Sequence, residues 1–147
     1  MKRFRFPLEG VSKVRETEVK SREATLARAQ RGLAEAGEAQ RRLVDAMRQS
    51  FRARPAGTVV DVSDLLEVER ERARIRGALI QQDEKLRGWL REVESERDQL
   101  LEAKRRAEAV EKLRERRYLE FIQQVLREEQ GQTDEVAGRM RAPRQAA

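Results

Sequence analysis

From Leu26 to Met47, and again from Val68 to Val110, mostly apolar or small residues return at alternating spacings of three and four. That rhythm keeps one side of a slightly underwound helix against a neighbour, and it is the heptad pattern of a left-handed coiled coil. The first stretch reads Leu26, Ala29, Leu33, Ala36, Gln40, Leu43, Met47. The second reads Val68, Arg72, Ile75, Leu79, Gln82, Leu86, Trp89, Val93, Glu96, Leu100, Ala103, Ala107, Val110. Neither is interrupted by proline. Helices this long are stable in water only if such a stripe is buried.

Composition agrees with rods rather than a globule. Charged residues make up 41% of the 147 residues and aromatics 4%, too polar a mixture for a central core. Arg, Glu, Ala and Leu dominate, with Gln frequent, all good helix formers. Disorder is the alternative for so polar a chain, and the sustained heptad rhythm argues against it. The net charge of +6 is a small difference between 33 basic and 27 acidic residues. Signs interleave, as in Glu67-Val68-Glu69-Arg70-Glu71-Arg72, which is the habit of a solvated helix face rather than of a basic stripe.

Cysteine and histidine are both missing from the sequence. Disulfides, thiolate chemistry, ordinary zinc sites and the commonest general base therefore fall away. Gly32 and Gly37 lie in a helical stretch without the Lys-Ser/Thr of a phosphate loop. Carboxylates are plentiful, but an extended rod gives them no pocket that shifts a pKa or excludes water. We expect no enzymatic activity, metal or cofactor. The basic start, Met1 to Pro7, leads into no apolar stretch, and no run of 18 apolar residues occurs, so neither a signal peptide nor a membrane span is expected. The cytoplasm is the expected location.

The predicted architecture is all-α: two long helices in an antiparallel coiled-coil hairpin forming a single domain over 1–147. Pro7 suits a first helical residue, and helix one is predicted over 7–54. Pro55, Gly57, Val59 and Val60 break the chain in a turn over 55–63. Asp64 with Glu67 resembles a capping box and opens helix two, predicted over 64–138. A flexible tail is expected over 139–147. At 1.5 Å per residue the helices would measure roughly 70 Å and 110 Å.

Folding back about Gly57 sets Met47 opposite Val68, Gln40 opposite Ile75, Ala36 opposite Leu79 and Ala29 opposite Leu86. It also sets Leu26 opposite Trp89 and Leu8 opposite Ala107. Several of these layers match a small residue with a large one, which keeps the helix axes evenly spaced. Arg15, Arg22, Arg72 and Glu96 interrupt the seam, and Gly32, Gly37, Gly77 and Gly88 weaken the helices. Before about residue 20 the repeat drifts, with Val11 and Val14 off the seam.

In that register, residues from about 109 to 138 have no partner, an overhang on the order of 45 Å. It carries Leu113, Tyr118, Phe121, Ile122, Val125 and Leu126. Apolar groups gathered on an unpaired helix mark an interaction surface, to be covered in a groove, in a ring, or by weak self-association into a dimer.

The opening Lys2-Arg3-Phe4-Arg5-Phe6-Pro7-Leu8-Glu9, with Val11, Val14 and Arg15 behind it, resembles the start of the FliJ family. Toward the other end Glu111-Lys112-Leu113-Arg114-Glu115-Arg116-Arg117, Arg127-Glu128-Glu129-Gln130 and Asp134-Glu135 strengthen the likeness. The resemblance runs over essentially the whole chain, including the short-then-long helix order. It implies a soluble coiled-coil component of flagellar type III export, acting as a chaperone and supporting flagellar assembly and motility. It implies three partners: the hexameric export ATPase, entered as a stalk; the cytoplasmic domain of the export gate membrane protein; and substrate-specific export chaperones. The implied location is peripheral, at the cytoplasmic face of the inner membrane.

Joined to the geometry, that resemblance assigns Leu113, Arg116, Arg117, Tyr118, Phe121, Ile122, Val125 and Leu126 to the ATPase ring. Val44, Phe51, Leu66 and Ile80, off the seam near the turn, are assigned to the gate. That end has no tyrosine, so an aromatic gate contact would rest on Phe51.

Three other readings remain open at this level. The stalk protein of a virulence-type secretion system would share the architecture. A basic coiled coil could bind nucleic acid or anionic membrane through stretches such as Lys104-Arg105-Arg106, with affinity falling steeply in salt, although glutamates recur every few residues and no nucleic-acid partner is expected. A plain spacer would need no exposed apolar overhang.

Overall fold

A computed structural model describes residues 3–52 and 59–141. It contains two helices, α1 (Glu9–Arg52, 44 residues) and α2 (Val62–Arg141, 80 residues), and among the described residues no strand. The predicted breaker residues Pro55 and Gly57, and the tail from 142 onward, lie outside the described residues.

Local chemistry sets the helix starts. The Phe6 carbonyl accepts the Glu9 N–H at 3.2 Å, and the Leu8 carbonyl accepts the Ser12 N–H at 2.9 Å. Leu8 is therefore the N-cap, and Pro7 precedes the helix instead of opening it, because its fixed φ serves the second place of a tight turn over 6–9. Glu9 then puts a negative charge where the helix dipole favours it.

At α2 the cap is Asp61 rather than Asp64. The Asp61 carbonyl accepts the Leu65 N–H at 3.2 Å, and its carboxylate accepts the Ser63 N–H at 3.3 Å and the Ser63 hydroxyl at 2.8 Å. These bonds hold the Asp61 carboxyl below its ordinary pKa, the Ser63 hydroxyl first and the Ser63 amide next. Asp64 falls in the first turn, where its charge still favours the helix. Helix α2 passes through Gly138, the predicted end, to Arg141, with Arg139 and Arg141 in its last turn.

Packing divides the chain into two units, a hairpin unit, Val19–Glu102, and a terminal unit, Met1–Glu18 with Ala103–Ala147. In the hairpin unit the helices run antiparallel, and the seam has the predicted phase. Ala29, Ala36, Ile75 and Val93 are buried, while Leu26, Leu33, Leu43, Met47, Leu79, Leu86 and Leu100 are half-buried. Two helices alone cannot enclose their seam, so the apolar stabilisation is the sum of many partly covered layers, each below the ~1.5–3 kcal/mol of a fully buried aliphatic.

The register differs from the expected one. The Gln82 amide donates to the Ala36 carbonyl at 2.9 Å, and Arg22 donates to the Gln99 side chain. Arg72 donates to the Ser50 carbonyl at 3.1 Å, and its guanidinium lies 4.1 Å from the Phe51 ring centroid. Trp89 lies over Gly32, where an added Cβ would come within 2.7 Å of three ring carbons. The pairing of Leu26 with Trp89 is thus overturned, as are Met47 with Val68 and the layers built with them. Helix two is displaced by about one heptad, a slip that keeps every seam residue on the seam. Gly32, expected to be a defect, is the hole that admits the indole.

In the terminal unit, Phe6, Ser12 and Ala103 are buried, and Ala107, Val110 and Arg114 are half-buried. The seam does not drift here: Ser12 and Arg15 occupy it, and Val11 and Val14 point outward at 40% and 64% exposure. Glu9 reaches Arg114 at 3.6 Å and Glu18 reaches Arg106 at 3.5 Å. Phe4, in the non-helical arm before Pro7, packs on Tyr118 and Phe121, with ring centroids 5.4 Å and 5.6 Å apart.

The expected pairing of Leu8 with Ala107 therefore also moves about a heptad along α2. The overhang does not begin near residue 109, because the arm accompanies α2 as far as Phe121. Beyond it, Ile122 and Val125 are half-buried, and every residue from Leu126 to Arg141 is exposed.

Candidate interaction surface

Two exposed apolar regions stand out, one in each unit. In the terminal unit Tyr118, Phe121, Ile122 and Val125 follow one another at i, i+3, i+4 and i+7, which places them on one helix stripe. Leu126 borders it at 58% exposure. Phe4 joins Tyr118 to Phe121, edge-on to the first at 77° and tilted on the second at 49°. Tyr118 remains 48% exposed. Arg116 and Arg117 are exposed, and Arg117 pairs with Glu120 on the same helix at 3.1 Å. Leu113 sits one turn earlier, just exposed.

Sequence reasoning missed Phe4 and Phe6 as packing residues and used the start only as a basic stretch, a helix opening and a family likeness. The signal was present, since Phe-x-Phe before a proline places two rings beside a helix start. It also passed over Val136 and Met140, both exposed near the end of α2.

The second region lies at the turn end of the hairpin unit. Val44 and Phe51 are one heptad apart on α1, and Leu66 and Ile80 two heptads apart on α2, so each pair shares a helix face. Val44 is half-buried and the other three are exposed. Phe51 is committed in part, since Arg72 covers one side of its ring. Ile80 edges a shallow groove with Gln40, Leu79 and Asp83. Val59, read as part of the breaker, adds exposed apolar surface there together with Val62 and Leu65.

Many charged groups form ion pairs along their own helices, such as Arg87 with Asp83 at 2.9 Å and Arg74 with Glu71 at 2.8 Å. Glu108 is held below its ordinary pKa by the hydrogen bond and then the charge of Lys112. Among the described residues no group of three or more His, Cys, Asp or Glu side chains is placed to hold a metal ion. No helix among them is long and apolar enough to cross a membrane.

Comparison with known proteins adds one result. Searches of curated proteins and of solved structures found no match. A model of the family described as Flagellar FliJ protein matches residues 4–146, nearly the whole chain. Both the likeness of the two termini and the order of a shorter and a longer helix fit that match, and the chain belongs to the FliJ family of flagellar export-related proteins.

Proposed function

We propose that this chain is the cytoplasmic coiled-coil stalk of flagellar export and a general export chaperone. The C-terminal turns of α2 enter the ring of the hexameric export ATPase. The turn end of the hairpin unit, through Val44, Phe51, Leu66 and Ile80, meets the cytoplasmic domain of the export gate. The chain works at the cytoplasmic face of the inner membrane, where it escorts substrate-specific chaperones.

The observation that carries this reading is that α2 continues to Arg141, well past Phe121, the farthest α2 residue on which the Phe4 ring packs among the described residues. That leaves about 20 residues, roughly 30 Å, of single helix. Ile122, Val125 and Leu126 open this stretch, next to Tyr118 and Phe121, with Leu113, Arg116 and Arg117 on the turns before. An apolar stripe that stays partly exposed on a helix is suited to insertion between other helices.

The test is truncation after Gln124, which removes the bare turns and leaves the segment under the arm. A helical protein that binds the ATPase at least about tenfold more weakly, a change of ~1.4 kcal/mol, and no longer stimulates its hydrolysis is the expected result. Undiminished stimulation would remove these turns from the mechanism.

A further inference from the structure

We propose that the arm over residues 3–6 is a self-latch: Phe4 occupies the aromatic face of α2 at Tyr118 and Phe121, and the ATPase gains that face only when the arm is displaced. The inference rests on assigning this face to the ATPase, as above.

The arm is built to leave. It is not helical, and the first backbone hydrogen bond behind it is the turn from Glu9 to Phe6. Phe4 is thus held through its side chain, by two ring contacts that are individually modest at such spacings. The cover is also shallow. With Tyr118 48% exposed, an incoming side chain can touch the face before Phe4 has gone. Phe6, at 8% exposure, stays behind as the anchor.

Charge works in the same direction. Arg3 and Arg5 flank Phe4 and are exposed, while Arg116 and Arg117 precede Tyr118 on α2. An acidic partner segment approaching the face would meet the two exposed cations of the arm on either side of Phe4, while Arg117 is already paired with Glu120 on its own helix. A partner that needs the open state binds more weakly by the fraction of molecules that are open.

Tyr118 is the only tyrosine, so 3-fluorotyrosine gives the full-length chain a single ¹⁹F reporter on the latch. Phe4→Ala is expected to move that resonance toward the solvent-exposed value at unchanged helicity, and to tighten ATPase binding about tenfold. A moved resonance with unchanged or weaker affinity would overturn the latch. The chain has no cysteine, so Arg3→Cys with Gln124→Cys, which leaves the Phe4, Tyr118 and Phe121 rings in place, can be bridged by a cleavable bismaleimide. The bridged protein should bind the ATPase at least about tenfold more weakly than the same protein after cleavage; equal affinities would overturn the latch by a route independent of Phe4→Ala. Phe121→Asp separates the two ideas. Binding lost there while Phe4→Ala gives no gain sinks the latch alone, and binding retained there sinks the ATPase assignment and the latch with it.

Discussion

The hairpin unit joins its helices along a continuous seam, whereas the described residues of the terminal unit show buried Phe6, Ser12 and Ala103, the ion pairs Glu9–Arg114 and Glu18–Arg106, and an aromatic cluster. In the hairpin unit the buried Ala29, Ala36, Ile75 and Val93 all fall on the three-four seam, and Trp89 seated over Gly32 keys one register. In the terminal unit Glu9–Arg114 and Glu18–Arg106 are partly exposed pairs, worth ~0–1 kcal/mol each. The heptad phase persists in both, so phase does not decide strength. What differs is how much apolar side chain stands on the seam, and hence which unit can open without unfolding.

The largest test of that contrast compares two buried residues. Ile75→Ala should lower global stability by about 3 kcal/mol in a urea melt. Phe6→Ala, also at a buried site, should shift the global midpoint by less than about 1 kcal/mol while amides near the arm lose exchange protection. Equal global losses would mean that the two units unfold as one.

Next come the glycines. An added Cβ at Gly37 or Gly77 meets nothing within 4 Å, so each Gly→Ala should gain up to about 1 kcal/mol from helix propensity. At Gly32 the same change drives a Cβ against the indole, and overpacking of about 1–3 kcal/mol outweighs that gain. Adding Trp89→Ala should return the gain of Gly32→Ala, as a double-mutant cycle in thermal melts would read. A stabilising Gly32→Ala with Trp89 present would remove the key from the register.

The smallest effect is the pH response of the α2 cap. Asp61 has its folded-state pKa lowered from 3.8. Its contribution is complete above that ordinary value and is lost as pH falls from there through the lowered one, where the unfolded chain binds the extra proton. Exchange at the Ser63 and Leu65 amides should quicken in that acid window and lose the dependence in Asp61→Asn. A cap indifferent to acid would mean that Asp61 holds the turn by its backbone alone.

Much of the fold could be read from residue order. The seam residues of both helices were legible because burial in a two-helix rod follows period alone. Register was not, because a heptad repeat is degenerate under a shift of seven: Leu26 and Leu33 present the same kind of surface. The choice is made by features without periodicity, namely the hole at Gly32, the Ala36 carbonyl that receives Gln82 and the Ser50 carbonyl that receives Arg72. The start of α2 was misplaced because Asp61 and Asp64 both precede the seam, and only Ser63 distinguishes them. Tyr118, Phe121 and Val125 were found as one apolar stripe, but the ring that sits on two of them comes from more than a hundred residues away.

The turn over 6–9 leaves Phe4 only two residues from the buried Phe6. A released ring therefore stays within a few ångströms of its seat and competes as a tethered ligand, at an effective concentration on the order of millimolar. Casual hydrophobic visitors would face that resident rival at every encounter. The arm then acts as an affinity threshold that admits only partners able to outbid a tethered competitor.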